Sequence, residues 1–165
     1  MREIVVTNLG MEFLLYLNSK EKEILELVYK AQYKVEENTP LCFLGDRYFG
    51  FLKKRQKTIV ICTDNAKKLG GVPRYRNNYD REDGKTGIII RRAIRHESVH
   101  VAQACNNSNL LNMLQSKDKV HKWYKKKALE GSTRLSKISK EREYEAYLME
   151  DNPKLVIAAL KKFCF

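Results

Sequence analysis

The sequence predicts an α+β fold, with a small antiparallel sheet followed by a mostly helical C-terminal part. Short runs of β-branched and aromatic residues, separated by turn-like or charged pieces, occupy residues 41–63 and are typical of strands. From residue 86 onward, apolar residues recur at helical spacing behind residues that favour helix starts. Because the chain has 165 residues and 43% of them are hydrophobic, we expect residues 1–165 to form a single domain with one core.

The first half of the chain is predicted to contain one long helix and the sheet. Asn18 can cap a helix, and Glu21 follows at the spacing of a capping box. The segment "SKEKEILELVYKAQYKVEEN" continues this helix for about five turns. The segment "LCFLG" is a predicted strand, residues 47–52 and 57–63 form a predicted hairpin around "KKRQ", and "REIVVT" adds a strand near the N-terminus.

Residues 64–86 have the least regular pattern and are predicted to be a long loop. A loop of this length is usually either functional or disordered. Basic and aromatic side chains alternate within it: Arg74, Tyr75, Arg76, Tyr79 and Arg81. Such a loop either clamps a substrate, contacts a phosphate backbone, or is a solvated surface segment.

The second half is predicted to be helical. The residues expected to cap its helices are Thr86, Ser116, Ser139 and Asn152. The helix that begins at Thr86 is predicted to run to about Asn106, and "NLLNMLQ" is predicted to form a short helix. The helix that begins at Ser116 is predicted to end at Gly131. Pro153 occupies the first position of the last helix, "PKLVIAALKKF".

The bulk composition predicts where the protein is found and what it attracts. No segment has 18 consecutive apolar residues and the N-terminus does not read as a signal peptide, so we expect a cytoplasmic protein without a membrane span. In a reducing cytosol we expect no disulfides, and the four cysteines are interpreted as small buried hydrophobes: Cys42, Cys62, Cys105 and Cys164. The net charge of +12 favours a nucleic acid, an acidic protein or an acidic substrate as partner.

The segment "HESVH" contains two of the three histidines of the chain. On a helix, His96 and His100 lie one turn apart on the same face, so both imidazoles can reach one metal ion. Glu97 lies beside that face, where its carboxylate can reach a metal-bound water. An apolar stripe about 100° away includes Ile90 and Ile94 and predicts the buried side of the helix. The solvent-exposed side is predicted to carry Arg91, Arg95 and Ser98. Val99 lies off the apolar stripe, which indicates that more than one side of the helix is covered.

This motif resembles that of the zincin metallopeptidases, whose catalytic zinc takes three protein ligands. The metzincin pattern requires a histidine at the position of Asn106 and therefore fails. The gluzincin pattern takes a glutamate from a later E-x-x-A motif, which is present as Glu143-Tyr144-Glu145-Ala146. The resemblance covers these two short motifs and their order, and it implies a zincin-like fold with Zn²⁺ held by His96, His100 and Glu143.

Two other residues remain candidates for the third ligand. Glu145 is close to Glu143 in sequence but points to another side of its helix. His121 suggests the SprT-like proteases, which use a third histidine and act on proteins bound to DNA. Gluzincins commonly carry an aspartate, which orients a zinc-binding histidine, where this chain has Tyr147. The Tyr147 hydroxyl either does the same or faces the substrate.

The resemblance implies peptide-bond hydrolysis through a metal-activated water, with Glu97 as the general base. Tyr147, Tyr144 or His121 would stabilise the oxyanion. An edge strand at residues 57–63 would pair with an extended peptide or protein substrate. Small proteins of this type are familiar from bacteria and their phages. Two alternatives stay open, namely a DNA-associated protein or protease and a zincin-like binding protein without turnover.

Overall fold

The computed structural model describes residues 10–70, 84–115 and 139–165, and the structural statements below concern those residues. Within them the chain is α+β and mostly helical, as predicted. Five α-helices and three strands follow in this order: α1 (Ser19–Lys30), β1 (Lys34–Glu37), β2 (Gly50–Lys53), β3 (Thr58–Ile61), α2 (Thr63–Gly70), α3 (Lys85–Cys105), α4 (Lys140–Met149) and α5 (Pro153–Phe163). The predicted strand "REIVVT" lies outside the described residues.

The sheet has the order β1-β3-β2 and is mixed rather than antiparallel. Strands β2 and β3 form the predicted hairpin, with Gly50 opposite Ile61, and a short 3₁₀ helix, Lys54–Gln56, connects them. Strand β1 pairs parallel to β3, and this pair makes the antiparallel prediction wrong. All four residues of β3 are buried, so the central strand belongs to the core.

Helix α1 is shorter than predicted. The Asn18 side chain accepts hydrogen bonds from the backbone N–H groups of Lys20 and Glu21, which confirms the predicted start. The helix ends at Lys30, Gln32 adopts a positive φ of 66°, and the chain then enters β1. The five-turn helix is therefore wrong, because Val35 fits the helical spacing but is the inward-facing residue of a strand.

Helix α3 is the central element, packed against α1, α2, α4, α5 and the sheet. Gly84, not the predicted Thr86, is its N-cap, and it ends within one residue of the predicted Asn106. Val99 is fully buried, which confirms that several sides are covered. The prediction of a solvent-exposed side is wrong. Ser98 is buried, Arg91 donates a hydrogen bond to the carbonyl of Tyr16, and Arg95 pairs with the buried Glu21.

The four cysteines form two disulfides, Cys42–Cys62 and Cys105–Cys164, so the prediction of free thiols is wrong. The pairing partners are far apart in sequence, and only the fold brings their Cα atoms to 5.5 and 5.1 Å. The first disulfide joins the end of β3 to a 3₁₀ helix, Pro40–Leu44, where the sequence predicted a strand. None of the described helices has both the length and the apolar character that a membrane span requires.

The last two helices begin where the sequence predicts. The Ser139 hydroxyl accepts from the backbone N–H of Arg142, and the Asn152 side chain accepts from that of Leu155. Two other predictions are wrong, since residues 109–115 are not helical and residues 64–70 belong to helix α2 rather than to the predicted loop. The basic and aromatic residues predicted within residues 71–83, and the helix predicted between Ser116 and Gly131, lie outside the described residues.

Candidate metal centre

Three side chains from two helices converge on one point. His96 and His100 lie on α3, and Glu143 lies on α4. The Nε2 atom of His96 is 3.0 Å from one carboxylate oxygen of Glu143, and the Nε2 atom of His100 is 3.0 Å from the other. All three residues are buried, and their ligand atoms lie within 4.8 Å of one another. This group can bind a metal ion.

The packing of α4 on α3 depends on a small residue. Ala146 lies one turn beyond Glu143, on the side of α4 that carries Glu143 toward α3, and is fully buried. A larger side chain at this point would push α4 away from α3. The E-x-x-A spacing therefore has a structural reason, because the alanine allows the glutamate to reach both imidazoles.

The ring of His96 is held by a residue that the sequence did not predict. Its Nδ1 atom is 2.9 Å from a carboxylate oxygen of Glu150 and can donate a hydrogen bond to it, so Nε2 is the nitrogen that would bind a metal ion. Glu150 follows Glu143 by two helical turns and so shares its face, a spacing that could have been used to find it. Tyr147 does not take this role, although its ring packs against that of His96 with a centroid distance of 4.4 Å.

The ring of His100 has a different partner. Its Nδ1 atom is 2.8 Å from the side-chain oxygen of Gln103, which lies one turn further along α3. The Gln103 amide nitrogen in turn donates to the carboxylate of Glu145 and to the backbone carbonyl of Arg142, each at 3.0 Å. The Gln103 amide is thus fixed with its oxygen toward His100. This role of Gln103 was not predicted from the sequence.

Of the two other candidates for the third ligand, Glu145 does not join the group. The Glu145 carboxylate accepts hydrogen bonds from the backbone N–H groups of Leu111 and Asn112, in addition to the one from Gln103. It therefore anchors the segment that follows α3. His121 lies outside the described residues.

The charges of the group are strongly coupled. Burial opposes the charged form of His96, but hydrogen bonds to Glu143 and Glu150 outweigh it and raise the pKa of His96 well above its usual value. Burial also acts against the charged Glu143, yet its hydrogen bonds with His100 and His96 hold the pKa of that carboxyl well below its usual range. The site thus combines an anionic carboxylate with two imidazoles, which is a donor set for a divalent transition metal.

Glu97 is buried beside the group and close to strand β2. A Cβ atom added at Gly50 would lie 2.9 Å from Cγ and 3.1 Å from Oε1 of Glu97, so only glycine fits there without displacing the glutamate. Burial raises the pKa of the Glu97 carboxyl, and the opposing charges of His96 and His100 offset part of this effect. A raised pKa makes the carboxylate a better proton acceptor.

The group opens into a cleft of about 770 Å³ between the sheet and helices α3 and α4. His96, Glu97, Glu143 and Tyr147 line it, together with β2 and the residues that follow this strand. Among the described strands, β2 is the edge of the sheet on this side, whereas β3, which the sequence predicted to be the edge, is central. Tyr144 does not line the cleft.

Comparison with known proteins leaves the site to be interpreted from its own geometry. No curated protein and no solved structure matches the chain. One family model matches residues 13–165, and its description is Domain of unknown function (DUF8637). Since this match spans well over half of the sequence, the chain belongs to the DUF8637 family.

Proposed function

We propose that this protein is a zinc-dependent metallopeptidase with a zincin-like fold of the gluzincin type, which hydrolyses peptide bonds through a metal-activated water. One observation carries the proposal: the Nε2 atoms of His96 and His100 converge on Glu143 while Glu97 lies beside them in an open cleft. A purely structural ion-pair network has no need of a cleft. Two imidazoles and one carboxylate with one side open are typical of catalytic zinc.

Each protein group has a distinct task in this proposal. His96, His100 and Glu143 would hold the ion, and Glu150 and Gln103 would keep both imidazoles in the tautomer that binds it. Zinc, when bound, supplies a Lewis acid that polarises the substrate carbonyl and acidifies water. The same ligand types also suit other divalent transition metals, so the choice of zinc rests on the resemblance of the two motifs to those of the zincins.

Glu97 is proposed as the general base. Its carboxylate accepts the proton of the attacking water and then delivers it to the leaving amine. The burial that raises its pKa suits both steps, because the group must bind the proton and release it again. Gly50 supports this role, because the absence of a side chain there leaves room for the Glu97 carboxylate.

The edge strand β2 is proposed to bind the substrate backbone. The backbone N–H of Cys62 donates to the carbonyl of Phe49, so the antiparallel ladder makes its hydrogen bonds at alternate residues from that pair onward. By this alternation, the backbone groups of Gly50 and Leu52 face away from β3 and toward the open edge. An extended peptide can pair with them as an additional strand beside Glu97.

Tyr147 is proposed to stabilise the oxyanion. It lines the cleft one turn beyond Glu143, and Glu150 already takes the orienting role at His96. A hydroxyl that donates to the developing negative charge contributes on the order of a hundredfold in rate.

The test of this function compares three variants with the unaltered protein. Glu97→Gln is expected to keep about one zinc per chain and to lose at least about a hundredfold in hydrolysis of a fluorogenic peptide. His96→Ala is expected to lose both zinc and activity. Glu141→Gln, on the exposed side of α4, is the control and should change neither.

Two results would contradict the proposal. A folded protein that takes up no zinc from buffer would remove the metal site. Equal turnover by Glu97→Gln and unaltered protein would remove the mechanism. A protein that binds zinc but cuts no peptide in a broad library would instead be a zincin-like binding protein without turnover.

A further inference from the structure

Charge in the cleft is distributed unevenly. Among the described residues, the acidic side chains that line it are those at the metal group, namely Glu97, Glu143 and Glu150. The other charged side chains of this described lining are all basic: Arg47, Lys53, Lys54, Arg55, Arg92 and Arg142. A substrate that extends from the metal group therefore meets positive charge.

Three of these cations lie at one end of the cleft. Gly50, at the start of β2, is beside Glu97, and Lys54, just after β2, contacts the hydroxyl of Ser108 beyond the end of α3. Strand β2 thus runs from the metal group toward the C-terminal end of α3. Arg142 belongs to the same end, because its backbone carbonyl accepts from Gln103 near that end of α3. Lys54 and Arg55 follow β2 and Arg142 lies on α4, so the cations come from different walls.

These three cations differ from two others in the cleft. Lys53 is 2.9 Å from the Glu36 carboxylate, and Arg92 is 3.5 Å from carboxylates of Glu150 and Asp151. Within the described parts of the chain, Lys54, Arg55 and Arg142 have no ion pair; Arg142 donates to the hydroxyl of Ser139. Lys54 and Arg55 are also exposed. Their charges remain available to a ligand.

We propose that Lys54, Arg55 and Arg142 bind an acidic side chain of the substrate, and that the protein therefore selects peptides with Asp or Glu at a fixed distance from the cleaved bond. This inference rests on the proposed function. A strand advances by about 3.3 Å per residue, so a peptide paired with β2 reaches these cations about three or four residues from the bond beside Glu97. Guanidinium groups bind carboxylates through paired hydrogen bonds, which makes the selection directional.

The cleft fits an acidic peptide better than a nucleic acid. A nucleic acid carries a phosphate at every nucleotide and would bring charge against the carboxylates of Glu97, Glu143 and Glu150. A peptide can place a neutral residue there and its carboxylate further along. Apolar Leu41 and Leu44 line part of the cleft as well, which suits side chains of a peptide.

The experiment measures binding and cleavage separately. Binding is followed by fluorescence anisotropy on zinc-loaded Glu97→Gln protein, with labelled peptides that carry Glu or Gln about three or four residues from a central neutral pair, on either side. The Glu peptide of one orientation is expected to bind about tenfold more tightly than its Gln counterpart, with a preference that weakens in high salt. Adding Arg55→Gln and Arg142→Gln should abolish the preference. The matched control, Lys22→Gln with Lys154→Gln, removes the same charge from exposed positions on α1 and α5 and should retain it.

Each outcome bears on one of the two proposals. Equal binding of Glu and Gln peptides, or an equal loss in the control variant, overturns the inference and leaves the peptidase intact if the unaltered protein cuts the neutral peptide. A single-stranded oligonucleotide that displaces the Glu peptide at a lower concentration than unlabelled peptide also overturns it, in favour of a nucleic acid. A preference for the Glu peptide without any cleavage by the unaltered protein overturns the peptidase and supports the acidic ligand alone.

Discussion

Glu143 and Glu145 are two residues apart on α4 and equally inaccessible, with 3% and 5% of their surface exposed, yet they face different regions of the molecule. The Glu143 carboxylate meets two imidazoles at the cleft. The Glu145 carboxylate meets backbone N–H groups of Leu111 and Asn112 and holds a segment of chain in place. Burial and residue type therefore do not distinguish a carboxylate that can bind a metal ion from one that anchors the backbone, whereas the chemistry of its partners does.

The largest expected difference between the two regions is in metal binding. Glu143→Ala is expected to weaken zinc affinity by more than about a hundredfold, because it removes a ligand rather than a supporting contact. Glu145→Ala should retain zinc as long as the protein is folded. Competition with a zinc-binding dye measures both affinities. An equal loss in the two folded variants would contradict the assignment of Glu143 as the third ligand.

The next effect concerns the carboxylate that supports His96. Glu150→Gln keeps the size of the side chain but weakens its hold on Nδ1, so zinc affinity should fall by about ten- to a hundredfold. The same dye competition measures it. Asp151→Asn is the control, because Asp151 shares the contact with Arg92 but none with His96. If both variants bind zinc as tightly as the unaltered protein, the Glu150 carboxylate serves to neutralise Arg92 and does not support the metal site.

At Glu145 we expect an effect on the stability of the protein rather than on its zinc affinity. Glu145→Gln replaces one of two acceptor oxygens with a donor that faces backbone N–H groups, which should lower the free energy of unfolding by about 1–3 kcal/mol. Urea unfolding of the metal-free protein measures this change. Glu141→Gln, on the exposed side of the same helix, should stay within about 0.5 kcal/mol of the unaltered protein. A stable Glu145→Gln protein would show that the anchor is dispensable.

The smallest expected effect is a difference between the two regions in how they make the stability of the protein depend on pH. The pKa of His96 is raised in the folded, metal-free protein, so its contribution to stability is complete below about pH 6.5 and is lost as the pH rises through the raised pKa. The lowered pKa of Glu143 gives the opposite limb, present above about pH 4.5 and lost as the pH falls. Thermal melts across this range measure the effect: the fall of the melting temperature with rising pH should be weaker in His96→Gln than in the unaltered protein. A Glu145→Gln protein in which this fall is equally weakened would contradict the assignment.

Much of the site could be predicted because its signals are local. The spacing of His96 and His100 and the E-x-x-A motif each require only one helix, and the caps Ser139 and Asn152 act within a few residues of themselves. Their relation across 42 residues came from the family resemblance and not from spacing. The structure brings the three residues together, but Glu150 was missed because an aspartate was sought at the position of Tyr147.

The predictions that failed depend on contacts between distant segments. Val35 became part of a strand because β3 was available beside it, which no local pattern reveals. The disulfides were missed because the expected compartment was used to exclude them, and their partners are 20 and 59 residues apart. Arg91 and Arg95 were predicted to face solvent because they are charged. Instead, Arg91 donates a hydrogen bond to a backbone carbonyl, and Arg95 pairs with the buried Glu21.

The disulfide between Cys105 and Cys164 closes a covalent ring that starts at the end of α3 and includes all of α4. Glu143 and Glu150 are inside this ring, whereas His96 and His100 lie on α3 just before it. A single cleavage of the backbone between Cys105 and Cys164 therefore leaves one molecule, because the disulfide at the C-terminal end of α3 still joins the two pieces. Such a nicked chain would migrate as one band on a gel until a reductant separates it into two.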